Sequence, residues 1–153
     1  MAPSKTFNIP GLGCAFAVIP NPALRRRFEQ AMHGIVPHVN VLGLAACEAA
    51  FRHGGDWHRD LIAYLRGNRD RVAATMASLP GVRMAPVEAT YLAWIDVRDL
   101  RLAKPAAHFE AHGIGLSDGA DFGAPGWLRL NFGCPRATLD EALTRFERAV
   151  RAA

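Results

Sequence analysis

Residues 12–19 read LGCAFAVI, a continuous apolar run that ends in the β-branched pair Val18 and Ile19. Pro20-Asn21-Pro22 stops it. Such a run predicts a strand covered on both faces. A buried strand must pair its backbone N–H and C=O groups, and it is not stable alone. Yet residues 22–80 predict only helices. The partners of this strand must come from the second half of the chain or from residues outside it. This requirement narrows the possible folds more than any count of residue types.

The helical stretch has clear punctuation. In PALRRRFEQAMH, residues 22–33, Pro22 suits the first turn and Gly34 the stop. Leu24 and Phe28 share one face. Residues 39–53 are mostly apolar and predict a second, largely buried helix. Gly54-Gly55 ends it, and Asp56 is placed to cap a long third helix running to Pro80. Trp57, Leu61, Tyr64, Leu65, Val72 and Met76 keep helical spacing there. A helix of that length often joins two packed units.

After Pro80-Gly81 the period changes. VRMAP and residues 90–97, TYLAWIDV, predict strands, and residues 104–112 a short helix closed by Gly113. IGLSDG and WLRLNFG predict two more strands around the turn GADFGAPG. Thr138 and Glu141 fit a capping box at the head of a last amphipathic helix. The second half therefore reads as an α+β unit.

Composition excludes several classes of function. Of 153 residues, 50% are hydrophobic and 21% charged, which is globular usage. The net charge is +4, but the arginines are scattered along the chain without long runs or interleaved aromatics. They predict solvated helix faces and no nucleic-acid surface. Cys14, Cys47 and Cys134 are odd in number and lack C-x-x-C spacing. They argue against a disulfide framework or zinc ribbon and point to a reducing, cytoplasmic setting, each as a small core residue. The apolar stretch after Lys5 is broken by prolines and glycines and is too short to span a bilayer, so no membrane partner is expected. His108 and His112 stand four apart, but no third ligand accompanies them, and no metal site is expected. The chain has no G-x-G-x-x-G, no P-loop and no G-x-S-x-G.

Two stretches bear on chemistry. Lys5, one of two lysines beside sixteen arginines, leads into the apolar run. With its pKa lowered it would serve as a Schiff-base amine. As a solvated terminal lysine it would do nothing. In LRLNFG, residues 128–133, the strand period puts Arg129 and Asn131 on one face, opposite Leu128, Leu130 and Phe132. A strand arginine beside a Gly-rich turn suits a carboxylate clamp, because its planar fork takes both oxygens. It equally suits pairing with Asp118 or Asp121.

Taken together, these stretches resemble the C-terminal part of a fold-type-I pyridoxal-phosphate enzyme, of the class I/II aminotransferase superfamily. APSKTFNIPGL is similar to the Schiff-base segment of the cystathionine β-lyase and C–S lyase group (MalY/PatB type). ATYLAWIDVR and WLRLNFGCPRATLDEAL are similar to that group's C-terminal domain in order and spacing. The resemblance implies an α/β fold with an α+β small domain. Residues 1–36 would be a remnant of the large cofactor-binding domain, 37–80 connecting helices and 81–153 the small domain. The cofactor would be pyridoxal 5'-phosphate, with Lys5 as its Schiff-base lysine and α-proton base and Ser4 beside it. Arg129 would bind the substrate α-carboxylate, with Asn131 and Tyr91 lining the pocket.

The implied activity is β-elimination from a small sulfur-containing amino acid, giving a thiol, pyruvate and ammonia. An aminotransferase, or a non-catalytic α+β interaction module, is the alternative. A homodimer is implied for the full-length form. The family's long region before the lysine, which holds the pyridine nitrogen and most of the phosphate, has no counterpart in this sequence. The expectation is of an N-terminally truncated chain that exposes Leu12–Ile19. An arginine found eight residues after the lysine in some relatives is here Gly13.

Overall fold

Asn21 and Asn40 set where two helices begin. In the computed structural model, which describes residues 1–153, Asn21 Oδ1 accepts from the amides of Ala23 (2.9 Å) and Leu24 (3.1 Å) and opens α2, Pro22–Met32. Asn40 Oδ1 accepts from Gly43 N (2.8 Å) and opens α3, Val41–His53. Each cap satisfies amides that the first turn leaves unpaired. A short turn of helix, α1 (Pro3–Thr6), precedes them, and α4 (Gly55–Ser78) follows. The chain divides into two compact units, Met1–Leu61 and Ile62–Ala153. That division falls inside α4, whereas the sequence reading sets domain limits at residues 36 and 80.

In the first unit, the predicted strand over 12–19 does not form. After a 3-10 turn at Pro10–Leu12 the segment is extended without a ladder. Its pairing is confined to Met1 and Phe16: the Met1 ammonium donates to Phe16 O (2.6 Å) and Phe16 N donates to Met1 O (2.9 Å). The first unit contains no strand, so the ladder has nothing to grow on and Val18 stays 75% exposed. The predicted burial of α3 fails for a related reason. Val41 and Leu42 face solvent, and only Gly43 is buried. A Cβ at Gly43 would stand 2.4 Å from Leu12 O, so glycine lets the extended chain cross the helix there. Gly54 breaks the helix where Phe7 takes the space of its Cβ, and Phe7 packs edge-on against Phe51 at 5.4 Å. Asp56 lies in the first turn of α4, paired with Arg59, rather than at the cap.

The second unit follows its sequence pattern closely. Strands β1 (Arg83–Met84), β2 (Leu92–Asp96), β3 (Ser117–Asp118) and β4 (Trp127–Asn131) form an antiparallel sheet in the order β1-β2-β4-β3. Helix α5 covers Pro105–Ala111 and α6 covers Arg136–Arg151. Ala93, Ile95, Leu128, Leu130 and Phe132 turn one sheet face toward Val72 and Met76 of α4, Phe109 of α5, and Leu139, Leu143 and Phe146 of α6. Phe109 and Phe146 pack with tilted rings, centroids 4.5 Å apart. Full burial of side chains of this size contributes roughly 1.5–3 kcal/mol each, which makes this face the stabilising core of the unit.

Helix α6 starts earlier than expected, and the Thr138 capping box does not form. Pro135 is extended, its carbonyl accepts Leu139 N (3.1 Å), and Glu141 pairs with Arg145. Asn68 of α4, fully buried, donates to the carbonyls of Phe132 (2.9 Å) and Cys134 (3.0 Å) and ties the end of β4 to the helix.

Candidate active site

Arg129 sits at the middle of β4, with Trp94 of β2 across one side and Ser117 of β3 across the other. Directly opposed residues share a sheet face, so Arg129, Trp94 and Ser117 rise together on the side away from the core. Its Nη2 donates to Ser117 Oγ (3.1 Å), and its guanidinium lies 4.5 Å over the Phe122 ring. Phe122 comes from the 3-10 turn Gly119–Phe122, which Asp118 opens by accepting from Ala120 N (3.0 Å).

Asp118 is thus occupied as a cap, and Arg129 forms no ion pair with Asp118, Asp121 or any other carboxylate. The structural pairing left open by the sequence is not made. A half-buried guanidinium, oriented by a hydroxyl and an aromatic face and not neutralised, is suited to take a carboxylate from outside the chain.

An aromatic layer continues from this point. Trp94 meets Phe122 edge-on at 5.9 Å and stacks on Trp127 at 5.8 Å. Arg98 lies 5.5 Å over Trp127. Arg98 is itself tied to Asp96, through Nε (3.0 Å) and Nη2 (2.8 Å). That guanidinium holds the Asp96 carboxyl below its ordinary range, and the hydrogen bond outweighs the opposing effect of burial.

Asn131 shares the Arg129 face at the end of β4. Its Oδ1 accepts from Gly133 N (2.8 Å), and its amide nitrogen donates to no protein group. Tyr91 is placed differently. It packs with the core cluster, and its ring lies against Gly133, where a Cβ would stand 3.2 Å away. The structure brings Arg129 and Asn131 to one face and leaves Tyr91 with the core.

Lys5 and Ser4 belong to the first unit. Lys5 lies in the last turn of α1, is exposed, and its amine makes no hydrogen bond or ion pair. Asn8, with φ 54°, turns the chain just beyond it. Ser4 is half-buried; its carbonyl accepts Ile9 N (3.1 Å) and its hydroxyl is unpartnered. A free primary amine is what an aldehyde cofactor needs, and a free guanidinium is what an amino-acid carboxylate needs. The Lys5 amine therefore fits the aldehyde of pyridoxal phosphate, and the Arg129 guanidinium fits the carboxylate of an amino acid.

Ser117 and Phe122 are the residues that sequence reasoning missed. The signal for Ser117 was faint: a strand residue two before the Gly-rich turn that begins at Gly119. The histidine pair is held structurally, His108 Nε2 to Ala149 O (2.8 Å) and His112 Nδ1 to His108 O (2.9 Å).

The chain is mixed α/β, with Lys5 in its first helical turn and Arg129 on the last strand of its sheet. Residues 3–146 match the family of class I and II aminotransferases, and the chain belongs to that family. Within it, the chain is 33% identical to cystathionine beta-lyase PatB of Bacillus subtilis (strain 168), over 97% of this chain and 40% of PatB. Among solved structures it resembles OvoB, with a TM-score of 0.96 and 50% identity over all of this chain and 40% of that one. It also resembles cystalysin from Treponema denticola, which contains pyridoxal 5'-phosphate, with a TM-score of 0.87 and 32% identity over 99% of this chain and 40% of that one. The chain therefore spans about 40% of the length of these relatives. The fold is the C-terminal portion of the pyridoxal-phosphate-dependent transferase fold, as the sequence implied. No helix is long and apolar enough to cross a membrane.

Proposed function

We propose that this chain carries the cofactor lysine and the carboxylate-binding arginine of a pyridoxal-phosphate-dependent carbon–sulfur β-lyase. Its substrate is a small sulfur-containing amino acid, and its products are a thiol, pyruvate and ammonia. The observation that carries the reading is Arg129, oriented by Ser117 and Phe122 and free of any carboxylate of its own. The name of PatB, a cystathionine β-lyase, supports elimination at the β-carbon.

Lys5 would hold the cofactor through its ε-amine, with Ser4 beside it. When bound, the cofactor supplies an electron sink that makes the substrate α-proton acidic. Lys5, once its amine is free again, takes that proton from Cα. Arg129 takes both carboxylate oxygens and limits the substrate to rotation about one bond, which gives the leaving sulfur a fixed approach. Asn131 presents its free amide on the Arg129 face, and Tyr91, packed with the core against Gly133, supports the strand end that carries Asn131. Loss of the β-sulfur as thiolate and addition of one water yield pyruvate and ammonia. The same reading includes a cytoplasmic, homodimeric enzyme. In it, residues 1–36 belong to a large domain, 37–80 connect and 81–153 form the small domain.

The family description favours a second reading, an aminotransferase, which would share the first proton transfer and then pass the amine to an oxo acid. Product analysis separates the two. In a chimera where this chain replaces its matching 40% of PatB, cystathionine is expected to give pyruvate and thiol in equal amounts. Lys5→Ala should abolish turnover without changing the circular dichroism. An oxo acid with the sulfur still attached, and no thiol, would establish the aminotransferase instead.

A further inference from the structure

We propose that Asn68 is a positioning residue for substrate binding. Its carboxamide grips the chain where it leaves β4, and so fixes the free amide of Asn131 beside Arg129 as a donor to the substrate carboxylate. The proposal rests on the reading of Arg129 as the carboxylate-binding residue. It adds a buried helix residue that acts through Asn131.

Asn68 lies in α4 and is fully buried. Its Nδ2 donates to the carbonyls of Phe132 (2.9 Å) and Cys134 (3.0 Å), which flank Gly133. The Gly133 amide in turn donates to Asn131 Oδ1 (2.8 Å). Hydrogen bonds therefore run from the helix, through one glycine, to the Asn131 carboxamide. They settle which end of it is offered: with Oδ1 engaged, Nδ2 is left as the free donor. Gly133 is itself closely packed. A Cβ there would stand 3.2 Å from the Tyr91 ring and from Asn131 Oδ1, and Phe132 N donates to Tyr91 O (2.9 Å). Beyond Cys134 the chain is fastened to α4 again. Arg136 N donates to Tyr64 Oη (2.7 Å) and Arg136 Nη2 to Tyr64 O (3.2 Å).

Asn68 Oδ1 is buried too and accepts no hydrogen bond, so the carboxamide is satisfied on its donor side only. A stranded buried acceptor costs free energy. What the side chain supplies in return is the pair of bonds to the backbone that orients Asn131. Asn131 stands two residues from Arg129 on the same sheet face, about 7 Å along the strand. A carboxylate held by the guanidinium fork keeps acceptor capacity for a further N–H. A donor already fixed on that face fills it without reordering. Loss of the Asn68 bonds frees the Gly133 amide to shift and the Asn131 carboxamide to turn. Substrate binding then weakens, while Lys5 and Arg129 keep their own roles.

The test is a kinetic cycle in the PatB chimera, with cystathionine as substrate and the fold of each variant checked by circular dichroism. Asn68→Leu keeps the volume and removes both donors. It is expected to raise KM roughly 5- to 10-fold and to leave kcat within about threefold. Asn131→Ala should raise KM by a similar factor. Adding Asn68→Leu to Asn131→Ala should then change KM by less than about twofold, because the two residues act as one unit. An unchanged KM in Asn68→Leu would overturn the proposal. So would equal KM shifts from Asn68→Leu with and without Asn131, which would mark Asn68 as a structural residue only. If Asn68→Leu does not fold, Asn68→Asp goes through the same cycle, since a buried neutral Asp keeps the shape and one donor. The same comparison of KM shifts decides it. An oxo acid in place of pyruvate would sink the lyase reading and not this proposal, because both reactions load the same carboxylate.

Discussion

Arg129 is held by two weak partners rather than one strong one. A hydrogen bond to the Ser117 hydroxyl is worth about 0.5–1.5 kcal/mol, and a cation–π contact such as that with Phe122 about 0.5–2 kcal/mol. Neither neutralises the charge, so the fork stays oriented and available. Replacing Phe122 by leucine keeps apolar volume and removes the ring face. In the PatB chimera, Phe122→Leu is expected to raise KM roughly 3- to 10-fold, about 1 kcal/mol of orientation lost. Its kcat should stay within about twofold. An unchanged KM would show that Phe122 does not position the guanidinium. The face of Arg129 was legible because a strand alternates strictly, and LRLN leaves no other register. Its partners were not, because Ser117 and Phe122 reach it through sheet pairing and a 3-10 turn, which spacing along the chain does not encode.

Elements followed the sequence where packing agreed with local pattern. The strands and helices of the second unit stand close to their expected places, since their apolar faces meet one another. The stretch 12–19 had the composition of a strand and no partner, and it stayed extended but unpaired. Helix α6 began at Arg136 because an extended proline supplied the first carbonyl, overriding the Thr138 signal. The Asp96–Arg98 pair at the end of β2 gives a test at this scale. Because the folded carboxyl is depressed, its stabilisation is full above the unfolded value of about 3.9. It is lost as pH falls through the lower folded value. Asp96→Asn should therefore lower the urea midpoint at pH 7, and the difference from wild type should shrink as pH falls below the unfolded value. A difference that is independent of pH would mean that Asp96 acts by packing rather than by charge.

The whole molecule joins two units with different degrees of closure. The second buries a complete core on one sheet face and presents Arg129 on the other. The first keeps Phe16, Val18, Leu42 and Phe51 at the surface. It also carries Lys5, which no local feature distinguishes from a solvated lysine. Its assignment rests on the resemblance of the segment APSKTFNIPGL to the Schiff-base segment of the C–S lyase group. The claim that Lys5 is the cofactor lysine is tested most directly by trapping. The chimera with PatB is incubated with pyridoxal phosphate, reduced with borohydride and mapped by peptide mass. The account predicts a pyridoxyl group on Lys5, absent from the Lys5→Ala variant. A label on Lys104 instead, or labelling that survives in Lys5→Ala, would contradict it.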